Sequence, residues 1–112
     1  MTKKYDLEER TLEFANRVMK YVDNLPRNIG NIEIGKQLVR AGGSVGANYI
    51  EANEALGKKD FAMRIRISRK EAKESRYWLK LSSPKDDSFQ ERELLIGEST
   101  ELMNIFGAIL KK

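Results

Sequence analysis

Residues 38–61 read LVRAGGSVGANYIEANEALGKKDF, and this stretch decides the fold. Its apolar residues have the spacing of an amphipathic helix, yet Gly42, Gly43 and Gly46 lie inside it. Each glycine costs a helix interior about 0.8–1 kcal/mol relative to alanine, so we expect a compensating interaction. Gly42 and Gly46 are four residues apart and share a face, over which a second helix can approach closely. The alternative is that Gly42-Gly43 breaks the helix in two.

Outward from this stretch, apolar residues three and four positions apart predict four amphipathic helices. The first predicted helix runs from Asp6 to about Asn24, and the second runs from an N-cap at Asn31 to a stop near Gly57. The third runs from Phe61 to Ser82, and the fourth begins at a capping box that starts with Ser88. Helices of this length joined by short loops predict an all-α protein, an antiparallel up-down four-helix bundle. A chain of 112 residues fits a single domain over residues 1–112.

The inward faces of the second and third helices are rich in small residues. These faces comprise Ile34, Leu38, Ala41, Val45, Asn48, Ala52 and Ala55 on the second helix, and Phe61, Ile65, Ser68, Ala72, Ser75, Leu79 and Ser82 on the third. The fourth helix has the stripe Leu95, Ser99, Leu102, Phe106 and Ile109. Such seams predict closely packed helices with a few polar residues among them.

Polar residues near this seam suggest how the second and third helices pair. If the helices form a hairpin turning near residues 57 and 58, Asn48 faces Ser68, Glu51 faces Arg64, and Glu74 can reach Arg40. Buried polar groups are usually satisfied locally. We therefore interpret Asn48, Glu51 and Arg64, like the three glycines, as packing and register residues; the alternative is a ligand-binding role.

The composition excludes several function classes. The chain has no cysteine and no histidine, which removes cysteine nucleophiles, thiolate metal sites and the commonest general base. Serine, lysine or carboxylate mechanisms remain open. No apolar run approaches the roughly 20 residues of a membrane span. Because no apolar segment follows the lysines of MTKKYDLEER, we expect no secretory signal and a cytoplasmic protein without membrane contact.

The positive charge is concentrated in one segment. The formal net charge is +4, while residues 58–80 alone carry nine basic and three acidic side chains. Six of the basic residues form a stripe on the outer side of the third helix: Arg66, Arg69, Lys70, Lys73, Arg76 and Lys80. Such a stripe can neutralise phosphates without sequence specificity, and Tyr77 beside it could stack on a base. The alternative is an ordinary solvated helix face.

Two carboxylate pairs offer a second candidate chemistry. Glu51-x-x-Glu54 and Glu71-x-x-Glu74 lie on consecutive helices, and their pattern is similar to that of all-α nucleotide pyrophosphohydrolases, which hold magnesium. In the hairpin described above the pairs are about 10 Å apart along the axis, too far to share one ion. We therefore expect solvated or salt-bridged glutamates, with no metal, no cofactor and no catalytic residue.

Residues 37–81, QLVRAGGSVGANYIEANEALGKKDFAMRIRISRKEAKESRYWLKL, resemble a known family. They are similar to the core of small four-helix proteins associated with intervening sequences in bacterial 23S ribosomal RNA genes. The resemblance is carried by Arg40, Ser44, Asn48, Glu51, the lysine-Asp60-Phe61 turn and the stretch from Glu71 to Leu79. Many members have a glycine directly after the glutamate, where this chain has Glu51-Ala52.

The resemblance implies an up-down bundle that assembles as a homo-oligomeric ring, commonly a pentamer, without established catalytic activity. A similar bundle, the accessory variability determinant of diversity-generating retroelements, is a basic pentamer that works with a reverse transcriptase and nucleic acid. We therefore predict a non-enzymatic homo-oligomer that serves as a basic platform for nucleic acid or a nucleic-acid enzyme. The alternatives are a protein-protein scaffold without a nucleic-acid role and a magnesium-dependent nucleotide hydrolase.

Overall fold

The computed structural model describes residues 6–112, and within them the chain forms four α-helices and no strand. The predicted all-α class is therefore confirmed. The helices are α1 (Leu7–Asp23), α2 (Ile29–Asn53), α3 (Lys58–Leu81) and α4 (Phe89–Leu110), with a short 3-10 helix at Asp86–Ser88. None of these helices has the length and apolarity needed to cross a membrane. The two N-terminal lysines used in the signal-peptide prediction lie outside the described residues.

The predicted starts of α2 and α3 are wrong by a few residues. Asn28, rather than Asn31, is the N-cap of α2, and its Oδ1 accepts a hydrogen bond from the Asn31 backbone N–H at 2.8 Å. Gly57, predicted to stop α2, is instead the N-cap of α3, and α2 ends earlier, at Asn53. Apolar periodicity missed the first turn of α3 because its residues before Phe61 are polar.

Asn31 instead ties two loops together at one end of the molecule. Its Nδ2 donates hydrogen bonds to the carbonyl oxygens of Pro26 and Ser83, each at 3.0 Å. Its Oδ1 accepts a hydrogen bond from the Ser83 backbone N–H at 3.0 Å. The α1–α2 loop and the α3–α4 loop are thus joined through one buried side-chain amide.

One apolar core is formed by the predicted inward faces of the helices. Its buried members include Phe14, Val18, Tyr21, Leu38, Val45, Ala52, Ile65, Ala72, Leu79, Leu95, Leu102 and Phe106. Ser68 and Ser75 on the α3 seam are fully buried, and their hydroxyls donate to the carbonyl oxygens of Val45 and Glu71 at 2.9 and 2.8 Å. Every buried side-chain nitrogen or oxygen atom in the described part of the chain has a hydrogen-bond partner.

Gly42, Gly43 and Gly46 all lie within α2, which packs against α1. The helix is continuous through Gly42-Gly43, so the alternative of a break is wrong. A Cβ built on Gly46 would lie 2.7 Å from Thr11 Oγ1, and one on Gly42 would lie 3.2 Å from Val18 Cγ1. Gly43 is exposed, and a Cβ there would meet nothing within 4 Å. Two of the three glycines therefore make room for α1, and the third does not.

This difference gives a matched pair of substitutions. Gly46→Ala should lower the free energy of unfolding by about 1–2 kcal/mol, because overpacking against Thr11 outweighs the gain in helix propensity. Gly43→Ala should raise it by about 0.8–1 kcal/mol, because only the propensity gain applies. Thermal and urea denaturation followed by circular dichroism measure both. Equal effects of the two substitutions would contradict the close approach at Gly46.

Candidate nucleic-acid interface

The six predicted cations all lie on the outer side of α3 and the edge that it shares with α4. Five are exposed, and Arg76 is half-buried because its Nη1 donates to Thr100 Oγ1 on α4 at 3.2 Å. Arg66, Arg69, Lys70 and Lys73 line a cleft of about 370 Å³ together with Met103 of α4. Four of the six predicted cations are thus brought together as one wall of a shallow cleft, which we name the α3–α4 cleft.

Among the described residues, those of α4 that contact the cations or line this cleft are uncharged. They are Thr100, Met103 and Gly107, and a Cβ on Gly107 would lie 3.8 Å from the guanidinium carbon of Arg69. Within residues 6–112, none of the six cations of the stripe forms an ion pair. Their positive charge therefore faces solvent without a neutralising partner.

Three of the four acids of α4 bind arginines on the edge that it shares with α1, and the fourth, Glu93, pairs with Arg92 of α4 itself. Arg10 Nε lies 2.7 Å from Glu98 Oε2, and its Nη2 donates to Glu98 and Glu101 at 2.8 Å. Arg17 donates to both carboxylate oxygens of Glu91, at 3.0 and 3.1 Å. The hydrogen bond to Glu98 is the main cause that raises the pKa of Arg10, and the bond to Glu91 raises that of Arg17. Sequence reasoning missed these pairs, whose members are more than 70 positions apart.

A polar network joins α2 to α3 on a further edge of the molecule. Arg40 Nη1 lies 3.3 Å from Glu71 Oε1, Nη2 contacts Glu74, and Nε donates to Gln37 at 3.1 Å. The expected approach of Glu74 to Arg40 is therefore present. Glu74 also accepts a hydrogen bond from Trp78 Nε1 at 2.9 Å. One guanidinium thus holds two carboxylates, one of them on the buried residue Glu71.

The predicted pairing of Arg64 with Glu51 is wrong. Arg64 Nη1 donates to Asn48 Oδ1 at 3.2 Å, while Asn48 Nδ2 donates to the carbonyl oxygen of Ser44 at 2.9 Å. Glu51 is exposed. The half-buried amide of Asn48 lies on the seam beside Arg64, so the guanidinium finds a neutral acceptor there rather than an exposed carboxylate. Asn48 therefore has hydrogen bonds to both helices of the α2–α3 hairpin.

The two carboxylate pairs do not meet. Glu71 and Glu74 bind Arg40, whereas Glu51 and Glu54 are exposed. In the part of the chain that the structure describes, no three carboxylates are grouped so that they could hold a metal ion. The geometry thus brings together the cations of the α3–α4 cleft and does not bring together the glutamates that a shared magnesium ion would need.

Comparison with known proteins supports one family. Residues 3–105 match the model of the family described as 23S rRNA-intervening sequence protein. A crystal structure from Bacteroides thetaiotaomicron VPI-5482, of a protein with unknown function from the S23 ribosomal protein family, superimposes with a TM-score of 0.80 at 29% sequence identity. The alignment covers 96% of this chain and 100% of the other. No curated protein matches the sequence.

The Arg40 network should stabilise the fold more than an ordinary surface pair. Arg40→Gln should lower the free energy of unfolding by about 1–2 kcal/mol, because it leaves the carboxylate of Glu71 poorly solvated and close to Glu74. Lys36→Gln is the matched control: it removes an exposed pair with Glu33 and should cost no more than about 0.5 kcal/mol. Urea denaturation at one protein concentration measures both values. Equal losses would show that the network adds nothing.

Proposed function

Because the chain belongs to the 23S rRNA-intervening sequence protein family, we propose that it is a non-enzymatic basic platform for nucleic acid, or for an enzyme that acts on nucleic acid. The observation that carries this proposal is the α3–α4 cleft. Its cations have no ion-pair partners in the described residues, while three of the four acids of α4 bind arginines of α1 on another edge. The family name, with its reference to 23S rRNA, is consistent with an RNA partner in the cytoplasm.

The length of the cationic stripe suits a phosphate backbone. From Arg66 to Lys80 the stripe covers about 21 Å of α3 at a rise of 1.5 Å per residue. Binding of phosphates by such a stripe releases counterions, so affinity should fall steeply with salt. We expect little discrimination between sequences, since no base-reading motif accompanies the stripe.

The proposal includes a single-domain, antiparallel up-down bundle. Two contact series support opposite directions for neighbouring helices. Between α1 and α2, Thr11 lies against Gly46 and Val22 lies against Gly35. Between α2 and α3, Asn48 binds Arg64, while Arg40 binds Glu74. In each series the residue numbers rise along one helix as they fall along the other.

We further propose that the chain forms a homo-oligomeric ring, for which the family resemblance suggests five subunits. Support comes from a set of exposed apolar side chains beside the contact between α1 and α2. We name this set of side chains the α1–α2 edge. These side chains are 38–62% exposed and comprise Leu12, Met19, Ile32, Val39 and Ile50. Ile32 and Val39 also line a groove between the two helices. A row of large apolar side chains of this kind is typical of a protein-protein contact.

Reversing charges in the α3–α4 cleft tests the nucleic-acid proposal. Joint replacement of Arg66, Lys70 and Lys73 by glutamate should weaken binding of a labelled RNA at least 10-fold in fluorescence anisotropy. The slope of log affinity against log salt should fall by about 0.7 for each single-strand phosphate contact that is lost. The matched control, Lys20, Lys85 and Lys111 to glutamate, makes the same change in net charge on exposed positions of α1, the α3–α4 loop and the C-terminal end of α4, away from the α1–α2 groove.

Three outcomes of this experiment separate the candidate functions. Loss of binding in the cleft variant alone supports the platform. An equal loss in the control variant would mean that net charge, rather than the α3–α4 cleft, governs binding. If the unmodified protein binds neither RNA nor DNA at 50 mM salt, the platform proposal is wrong, and the protein-protein scaffold is the better description.

Assembly is tested separately. In a closed ring each contact joins two different patches, so a charge in one patch affects every contact of the ring. Val39→Glu on the α1–α2 edge should therefore lower the molar mass measured by light scattering toward that of the monomer. Leu94→Glu, at an exposed leucine of α4, is the control. An unchanged mass for Val39→Glu, with helicity retained in circular dichroism, would show that this edge does not contact another subunit.

A further inference from the structure

Tyr77 is an exposed aromatic residue within the cationic stripe. The residue is 58% exposed, and it lies on α3 four positions after Lys73 and three before Lys80. Residues at these separations are neighbours on a helix surface. A large ring left in solvent loses the apolar burial that ordinarily favours an aromatic residue. Tyr77 is therefore placed where a ligand that binds the cations would also meet an aromatic face.

A series of contacts holds this ring in place. The rings of Tyr77 and Trp78 meet edge to face, with centroids 5.0 Å apart and planes at 74°. Trp78 packs on the core and donates its indole N–H to Glu74, which is bound in turn by Arg40. The exposed ring is thus supported by a neighbour that is itself fixed by a hydrogen bond. A supported ring loses less conformational entropy on binding than a free one.

We propose that the α3–α4 cleft takes single-stranded nucleic acid and that one base stacks on Tyr77. This inference rests on the proposed function and adds the class of nucleic acid. Bases in a duplex are stacked on each other and present only their edges in the grooves, whereas an unpaired base offers its face to an aromatic ring. Cations one helical turn apart follow the backbone of the strand, and Tyr77 holds a base beside them.

The test compares single-stranded and double-stranded RNA on the full chain. A labelled 12-nucleotide oligouridine and a labelled 12-base-pair RNA are titrated in anisotropy with Tyr77→Ala, Tyr77→Leu and Tyr77→Phe. Tyr77→Ala should weaken binding of the single strand between about 5-fold and 150-fold, the loss typical of one stacked base. Tyr77→Leu should lose a similar amount despite its apolar area, and Tyr77→Phe should stay within about 2-fold of the unmodified protein. Duplex affinity should not change.

A spectroscopic measurement gives an independent readout. Trp78 is the one tryptophan in the chain and touches Tyr77, so its emission reports on this site. Oligouridine should change the emission of the unmodified protein, and inorganic polyphosphate, which supplies the charges without bases, should not. Identical responses to the two ligands would mean that only phosphates are recognised.

The outcomes separate this inference from the function on which it rests. If the Tyr77 variants bind oligouridine normally while the charge-reversed cleft variant does not, the stacking site is wrong and the platform stands. If the unmodified protein binds neither of these RNAs and no DNA at 50 mM salt, both are wrong. If Tyr77→Ala lowers the molar mass in light scattering, the ring belongs to a contact between subunits, and the stacking proposal is overturned.

Discussion

The close approach of α1 to α2 is the constraint on which the rest of the structure depends. Gly42 and Gly46 leave no side chain between the helices, and Val18 and Thr11 of α1 fill that space. Gly35, over which Val22 lies, extends this contact along α2. α1 has fewer close backbone approaches to α4 than to α2, and Arg10 and Arg17 reach three glutamates of α4 across this separation. Arginine and glutamate are the residues that can span such a separation while remaining partly solvated.

This arrangement divides the charge of the molecule between its edges. Arg10 and Arg17 bind three glutamates of α4, so those carboxylates are turned toward α1. The other side of α4 presents Thr100, Met103 and Gly107 to α3. The cations of α3 consequently face neutral groups although α4 is an acidic helix. A modest net charge of +4 therefore coexists with a concentrated positive surface, and the distribution matters more than the total.

Sequence periodicity predicted the structural features that depend on a single helix. The buried rows on α3 and α4, such as Ile65 and Leu79 or Leu95 and Leu102, follow from apolar spacing alone. A polar first turn carries no such signal, which explains the misplaced start of α3. At α2 two asparagines compete for the N-cap, and Asn28 rather than Asn31 occupies it. To predict which residues pair across two helices, the axial offset between the helices must be known to within one turn. That offset was estimated well enough to bring Arg40 to Glu74 but not to choose between Asn48 and Glu51 for Arg64.

The same reasoning explains why the cleft could be predicted only in part. The stripe on α3 is local and was visible in the spacing of its cations. Its freedom from ion pairs depends on which way the acids of α4 point, and that follows from their partners on α1, far away in sequence. The α1–α2 edge and the α3–α4 cleft involve different pairs of helices. Assembly through the former would therefore leave the latter open, and each added subunit would contribute another unneutralised stripe to the field of the ring.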